Sequence, residues 1–189
     1  MAKELEVTFR TLLSKSEYLR LAKQFSDSPA NLQINYYFDT PRFTLKASEI
    51  ILRVRKRDKY ELTIKRKKGY NKYEVTEIIT EEEFNNFLNT KTIPSLQIQN
   101  ELTDVIKGQT LVNYMSLSTY RIYFPYKKGK IALDKCEYVD EIDYELEYEA
   151  STYEQGKREF IEIVKEFGII YKKSEAKIKR AYNALKRKI

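Results

Sequence analysis

The chain has 189 residues, 42% hydrophobic and 33% charged, which is enough for one domain with a sizeable core (1–189) and too little for two comfortable ones. With no histidine, five glycines and no Gly-Lys-Ser/Thr step, it excludes His-ligated metals, His acid–base chemistry, Ser-His-Asp triads and phosphate-cradling P-loops. The net charge of +7 favours an anionic partner, the lone Cys136 leaves no internal disulfide, and no apolar run approaches the roughly 20 residues of a membrane span.

Met1-Ala2-Lys3-Glu4 runs straight into an alternating segment, so no signal peptide and a soluble, cytoplasmic protein are expected. Over residues 3–10, Leu5, Val7 and Phe9 alternate with Glu4, Glu6, Thr8 and Arg10, a period-2 strand pattern. Ser14-Lys15-Ser16-Glu17 forms a capping box before Tyr18, Leu19, Leu21, Ala22 and Phe25 at helical spacing, and Ser26-Asp27-Ser28-Pro29 ends that helix. Strands are predicted at Leu32–Asp39, closed off by Thr40-Pro41, then at Ile50–Arg57 and Tyr60–Lys67 as a hairpin. Gly69 turns the chain into a strand over Lys72–Ile79, and Thr80 with Glu83 caps the next helix. Residues 90–110 are ambiguous, with a short helix near Glu101–Lys107. Strands follow at Tyr114–Tyr126, Lys130–Glu137 and Asp140–Ala150, then helices at 153–167 and Ser174–Arg187.

The expected fold is therefore α+β, with eight short-linked antiparallel strands closed into a β-barrel and helices packed outside. The alternative is an open sheet with helices on one face.

Strand residues two apart share a face, which collects the charges into stripes. Glu4, Glu6 and Arg10 fall together, as do Arg53, Arg55 and Arg57, then Lys65 and Lys67 with Glu61, and Glu145, Glu147 and Glu149. Solvated amphipathic strands with cross-strand ion pairs account for each stripe taken singly. Rows of like charge repel, however, and persist most easily when a cation sits on the acids and an anion on the bases. A polyphosphate bound with Mg²⁺ or Mn²⁺ supplies both: Arg binds phosphate oxygens bidentately, and hard carboxylate oxygens hold the ion.

These residues resemble the CYTH superfamily, the triphosphate tunnel metalloenzymes, whose first strand carries Glu-x-Glu-x-Lys. The nearest match is Glu6-Val7-Thr8-Phe9-Arg10. The resemblance continues through Tyr36-Tyr37-Phe38-Asp39-Thr40, Leu52-Arg53-Val54-Arg55, Leu62-Thr63-Ile64-Lys65, Tyr73-Glu74-Val75, Arg121, Leu133-Asp134, Tyr144-Glu145-Leu146-Glu147, Ser174 and Lys177-Ile178-Lys179-Arg180. It implies phosphate-binding roles for Arg10, Arg53, Arg55, Lys65, Arg121, Lys177 and Arg180. It also implies Mg²⁺ or Mn²⁺ held by Glu6, Asp134, Glu145 and Glu147, with Glu4 as a helper. Catalysis would centre on Glu145, Glu147, Arg53 and Arg55, and Glu74 would face the same interior or brace a neighbouring base.

Two departures bear on rate more than on fold: Thr8 stands where the second signature Glu is expected, and Glu175 stands where a Lys is expected. The expected activity is metal-dependent hydrolysis of inorganic triphosphate, a nucleoside triphosphate or thiamine triphosphate, with a rate rising toward alkaline pH because no His is present to activate water. Alternatives are a polyphosphate-binding module with little turnover, and an adenylate cyclase. The expected partner is a triphosphate-bearing small molecule rather than nucleic acid or membrane, and the oligomeric state is open.

Overall fold

A computed structural model describes residues 7–25, 27–68 and 71–188. Glu4, Glu6 and the turn expected at Gly69 lie outside those residues. The elements in chain order are β1 (Val7–Leu13), α1 (Lys15–Gln24), β2 (Ala30–Asp39), α2 (Thr44–Ala47), β3 (Ile50–Lys56), β4 (Tyr60–Lys68) and β5 (Asn71–Ile79). There follow α3 (Glu81–Thr90), α4 (Leu96–Ile106), β6 (Val112–Tyr126), β7 (Gly129–Tyr138), β8 (Glu141–Ala150), α5 (Tyr153–Glu166) and α6 (Lys177–Lys186). No helix among the described residues is long and apolar enough to cross a membrane.

The eight strands form one antiparallel sheet in the order β1-β8-β7-β6-β2-β3-β4-β5. This corrects the expectation of a closed β-barrel: β1 and β5 end the sheet and do not pair with each other among the described residues. The outer edge of β1 is taken instead by the segment leading into α6. Leu12 N–H donates to Lys172 O at 3.1 Å, Lys172 N–H donates to Thr11 Oγ1 at 2.9 Å, and Thr11 bridges Lys173. Backbone groups that a closing strand would need are thus partly satisfied locally.

The chain divides into two units, Gln33–Leu117 and a discontinuous unit of Met1–Leu32 with Ser118–Ile189. In the Gln33–Leu117 unit, the period-2 pattern turns Phe38, Leu52, Val54, Leu62 and Ile64 to one face, where they pack with Phe84, Phe87, Ile98 and Leu102 of α3 and α4. The Phe38 and Phe87 rings stack with centroids 4.4 Å apart. Burying Phe87 contributes about 2–3 kcal/mol by area alone. Thr80 and Glu83 form the expected capping box at α3. The predicted helix near Glu101–Lys107 begins earlier, because Ser95 Oγ accepts from Ile98 N–H at 3.1 Å and caps α4. The four-residue α2 has no counterpart among the predicted elements. Buried Asp39 holds its start, with Oδ1 accepting from Leu45 N–H at 2.8 Å and Oδ2 from Lys46 N–H at 2.9 Å.

In the discontinuous unit, Leu13, Ile122, Phe124, Ile131, Leu133, Leu146 and Tyr148 pack with Tyr18 and Leu21 of α1 and Phe160 and Ile163 of α5. The capping box of α1 is present, with Glu17 Oε2 accepting from Ser14 N–H at 2.6 Å. The helix α5 lies close on the sheet at Gly156, where a Cβ would come within 2.5 Å of the Phe9 ring and 2.8 Å of the Ala150 methyl. That packing covers one face of β1, β8, β7 and β6. The opposite face carries the charged residues, and α6 lies against it through Lys177 and Arg180.

Candidate functional site

Strand alternation that buries Leu52 and Val54 puts Arg53 and Arg55 on the other face of β3. Their neighbours follow from register. Arg53 lies between Tyr37 of β2 and Thr63 of β4, and Arg55 lies between Asn35 and Glu61. The nearest acid, Glu61, is taken by Arg57, whose Nη2 lies 3.0 Å from both carboxylate oxygens. Arg55 Nε donates to the neutral Asn35 Oδ1 at 3.0 Å. Arg53 is only 9% exposed, and its buried Nε has no hydrogen-bond partner. Burial, together with the like charges of Arg53 and Arg57, pushes the Arg55 guanidinium down to about 10. Lys65, next along the same face of β4, pairs with Glu74 at 2.8 Å. Among the described residues, Glu61 and Glu74 go to Arg57 and Lys65, and no acid is paired with Arg53 or Arg55.

The discontinuous unit holds the opposite stripe. Glu145 and Glu147 alternate on β8, Asp134 of β7 stands opposite Glu145, Arg121 of β6 opposite Asp134, and Arg10 of β1 opposite Glu147. Asp134, Glu145 and Glu147 are all buried, and each offers an oxygen within 4.8 Å of the others'. Arg121 forks onto Asp134, with Nε to Oδ1 at 2.6 Å and Nη2 to Oδ2 at 2.5 Å, and also reaches Glu147 Oε2 at 2.7 Å. The Lys177 ammonium lies among all three acids, 2.9 Å from Asp134 Oδ2, 2.6 Å from Glu147 Oε1, and in contact with Glu145 Oε2. Arg180 Nη1 lies 3.0 Å from Glu145 Oε1 and 2.8 Å from Ser174 Oγ, and Ser174 Oγ itself donates to Glu145.

These charges govern each other's protonation. Burial would raise the Glu147 carboxyl, but Lys177 and Arg121 outweigh it and hold the group down at about 2. Burial likewise opposes the charged form of Lys177, and Asp134, Glu145 and Glu147 reverse that and drive its ammonium well above the ordinary lysine value. Arg121 and Arg180 are raised in the same way, against burial, by Asp134 and Asp143 respectively.

The phosphate-binding set implied by the sequence therefore divides. Arg53, Arg55 and Lys65 lie in the Gln33–Leu117 unit, while Arg10, Arg121, Lys177 and Arg180 lie with Asp134, Glu145 and Glu147. Arg121, Lys177 and Arg180 are held by carboxylates in this structure. Sequence reasoning missed Asp143, which binds Arg180 Nε at 2.7 Å and Nη2 at 3.1 Å and also accepts from Tyr138 OH. The signal was present, since Asp143 shares the parity of Glu145, Glu147 and Glu149. It also missed Asn35, whose partnership with Arg55 depends on a cross-strand register. Thr8 stands opposite Glu149, and that carboxylate is engaged by Lys130 at 2.9 Å.

A divalent ion fits the trio on the chemistry of its donors: three hard carboxylate oxygens, close together and buried, already gathered around a positive charge.

Residues 4–182 match the profile of the family described as CYTH domain. The chain is 30% identical over 193 residues, the full length of both, to a Bacillus subtilis (strain 168) protein named "Putative triphosphatase YjbK". It is similar to a crystal structure of a Bacillus halodurans protein described as a putative adenylate cyclase. That likeness has 32% identity and a TM-score of 0.77, covering 95% of this chain and 98% of that one. A Hippeastrum protein, described as a putative adenylyl cyclase with a dominant triphosphatase activity, shares the fold at 22% identity and a TM-score of 0.76, with 97% and 96% covered.

Proposed function

Because the chain belongs to the CYTH family, we propose that it is a divalent-metal-dependent triphosphatase, cleaving the terminal phosphoanhydride of inorganic triphosphate, a nucleoside triphosphate or thiamine triphosphate. The observation that carries this reading is the buried trio of Asp134, Glu145 and Glu147 drawn around a cation. The full-length similarity to a protein named for triphosphatase activity supports it.

In this reading Asp134, Glu145 and Glu147 hold Mg²⁺ or Mn²⁺. The ion supplies Lewis-acid polarisation of a phosphate oxygen and a lowered pKa for attacking water. The protein's own residues do the rest. Arg53 and Arg55 have little anionic compensation, so a phosphate oxygen gives them what neighbouring side chains do not. Lys65 and Arg10 add point charges, and donors of this kind stabilise the charge that develops on the phosphoryl oxygens. Arg121 and Arg180, locked to Asp134 and Asp143, orient the carboxylates of the trio. Glu4 and Glu6 remain candidate ligands by the family resemblance.

Phosphate release from inorganic triphosphate, ATP and thiamine triphosphate, with Mg²⁺ or Mn²⁺, tests the reading. Metal-dependent release that Glu147→Gln abolishes, rising toward alkaline pH, is the expected result. Release without metal, or an optimum below about pH 6, would overturn it. Cyclic AMP as the product from ATP would select the cyclase chemistry for which the Bacillus halodurans relative is described. Restored release in Thr8→Glu from an inactive parent would mark a site that binds its ligand and has lost most of its turnover.

A further inference from the structure

We propose that Lys177 is a tethered cation that occupies the divalent-ion site and must be displaced before an ion can enter. The inference rests on the metal reading above and concerns this chain's own side chain.

Arg121 holds both oxygens of Asp134 and Glu147 Oε2, while Arg180 and Ser174 hold Glu145 Oε1. Glu145 Oε2 and Glu147 Oε1 are left facing the cluster, and Asp134 Oδ2 faces it while shared with Arg121 Nη2. Those are the three that Lys177 Nζ contacts. An ammonium has three N–H donors and no acceptor, so three carboxylate oxygens saturate it. An ion bound to the trio competes for these oxygens at about 2.0–2.6 Å, which leaves no room for the ammonium among them. The two cations are mutually exclusive.

The lysine is also placed where it can leave. It is the first residue of α6, and a lysine's four-carbon stem is flexible enough to move its ammonium while the helix stays in place. The start of α6 has no side-chain cap and no acid in its first turn, where an acid would be favoured, so its contact with the trio offsets the cost of a lysine at the positive helix end. Once displaced, the ammonium regains a free positive charge beside a filled site. Filling the site with metal thereby creates a new attraction for an anionic substrate.

The test is Mn²⁺ binding to the full chain by titration calorimetry without any phosphate ligand, comparing the parent with Lys177→Met. The expected result is about tenfold or greater tightening in Lys177→Met, because the ion no longer competes with a tethered charge. Equal or weaker binding by the variant overturns the proposal. Absence of Mn²⁺ binding by both proteins overturns the metal reading itself, and this proposal with it. Since Lys177→Met leaves three buried acids less compensated and folding has to be checked by circular dichroism, a second measurement uses the parent protein. Acetylation of Lys177, read by mass spectrometry against Lys130 as reference, rises when Mg²⁺ is added if the side chain is expelled. Unchanged or reduced acetylation overturns the proposal.

Discussion

The two units each present one face of β-strands to their hydrophobic core and one to a charged stripe, but they settle those charges differently. In the discontinuous unit each acid of the charged trio meets a base: Asp134 meets Arg121 and Lys177, Glu145 meets Lys177 and Arg180, and Glu147 meets Lys177 and Arg121. In the Gln33–Leu117 unit, Arg53 keeps an unpartnered buried Nε, and among the described residues Arg55 bonds to the amide oxygen of Asn35. The first stripe is complete without a ligand, and removing any member leaves an opposite charge stranded. The second is held under strain by the fold, and an anion would relieve it. Charge count alone does not distinguish these cases; the partners do.

The largest effect should come from opening the complete stripe. Asp134→Ala leaves Arg121 and Lys177 short of their shared carboxylate and should cost about 3–5 kcal/mol in urea unfolding. A loss under about 1 kcal/mol would mean the cluster contributes little to holding its unit.

Acid probes the same stripe without a mutation. A carboxyl held below its unfolded value contributes stability that is present above that value and is lost as pH falls through the folded one. Glu147 moves from 4.5 to about 2, so the parent should lose about 3 kcal/mol between roughly pH 4.5 and pH 2, and Glu147→Gln should lose correspondingly less.

The strained stripe should respond with the opposite sign. Arg55→Gln removes a half-buried, poorly compensated charge and should leave thermal stability unchanged or raise it by up to about 1–2 kcal/mol. The same variant should weaken triphosphate binding by about tenfold or more in calorimetry. Destabilisation of several kcal/mol by Arg55→Gln would erase the contrast between the units. The smallest effect belongs to Lys65, whose pair with Glu74 is about two-fifths exposed on both sides; Lys65→Met should change stability by less than about 1 kcal/mol.

Much of this was legible from residue spacing. The capping boxes at Ser14 and Thr80 form as their residue types require, and strand parity sorts Arg53 with Arg55 and Glu145 with Glu147. Parity assigns a face, however, and says nothing of which charges meet on it. That Glu61 goes to Arg57 and leaves Arg55 to Asn35 depends on register and rotamer. The place of Lys177 among three acids depends on α6 lying against the sheet, a tertiary contact with no local signature. Closure failed as an expectation for a related reason. Eight strands of suitable length permit a barrel, but the edge of β1 is engaged by residues 172–173, and no pattern within β1 announces that partner.

The pairing of Val7 with Ala150 also sets a timetable for synthesis. At about 5–20 residues per second, β1 is made roughly 7–30 s before the last residues of β8 exist to pair with it. Gln33–Leu117, being continuous in the chain, can assemble in that interval. The acidic cluster cannot, because Lys177 arrives after Asp134, Glu145 and Glu147 have all been made. The newborn chain can thus complete the stripe of Arg53 and Arg55 while the acids of the trio still lack Lys177 and Arg180.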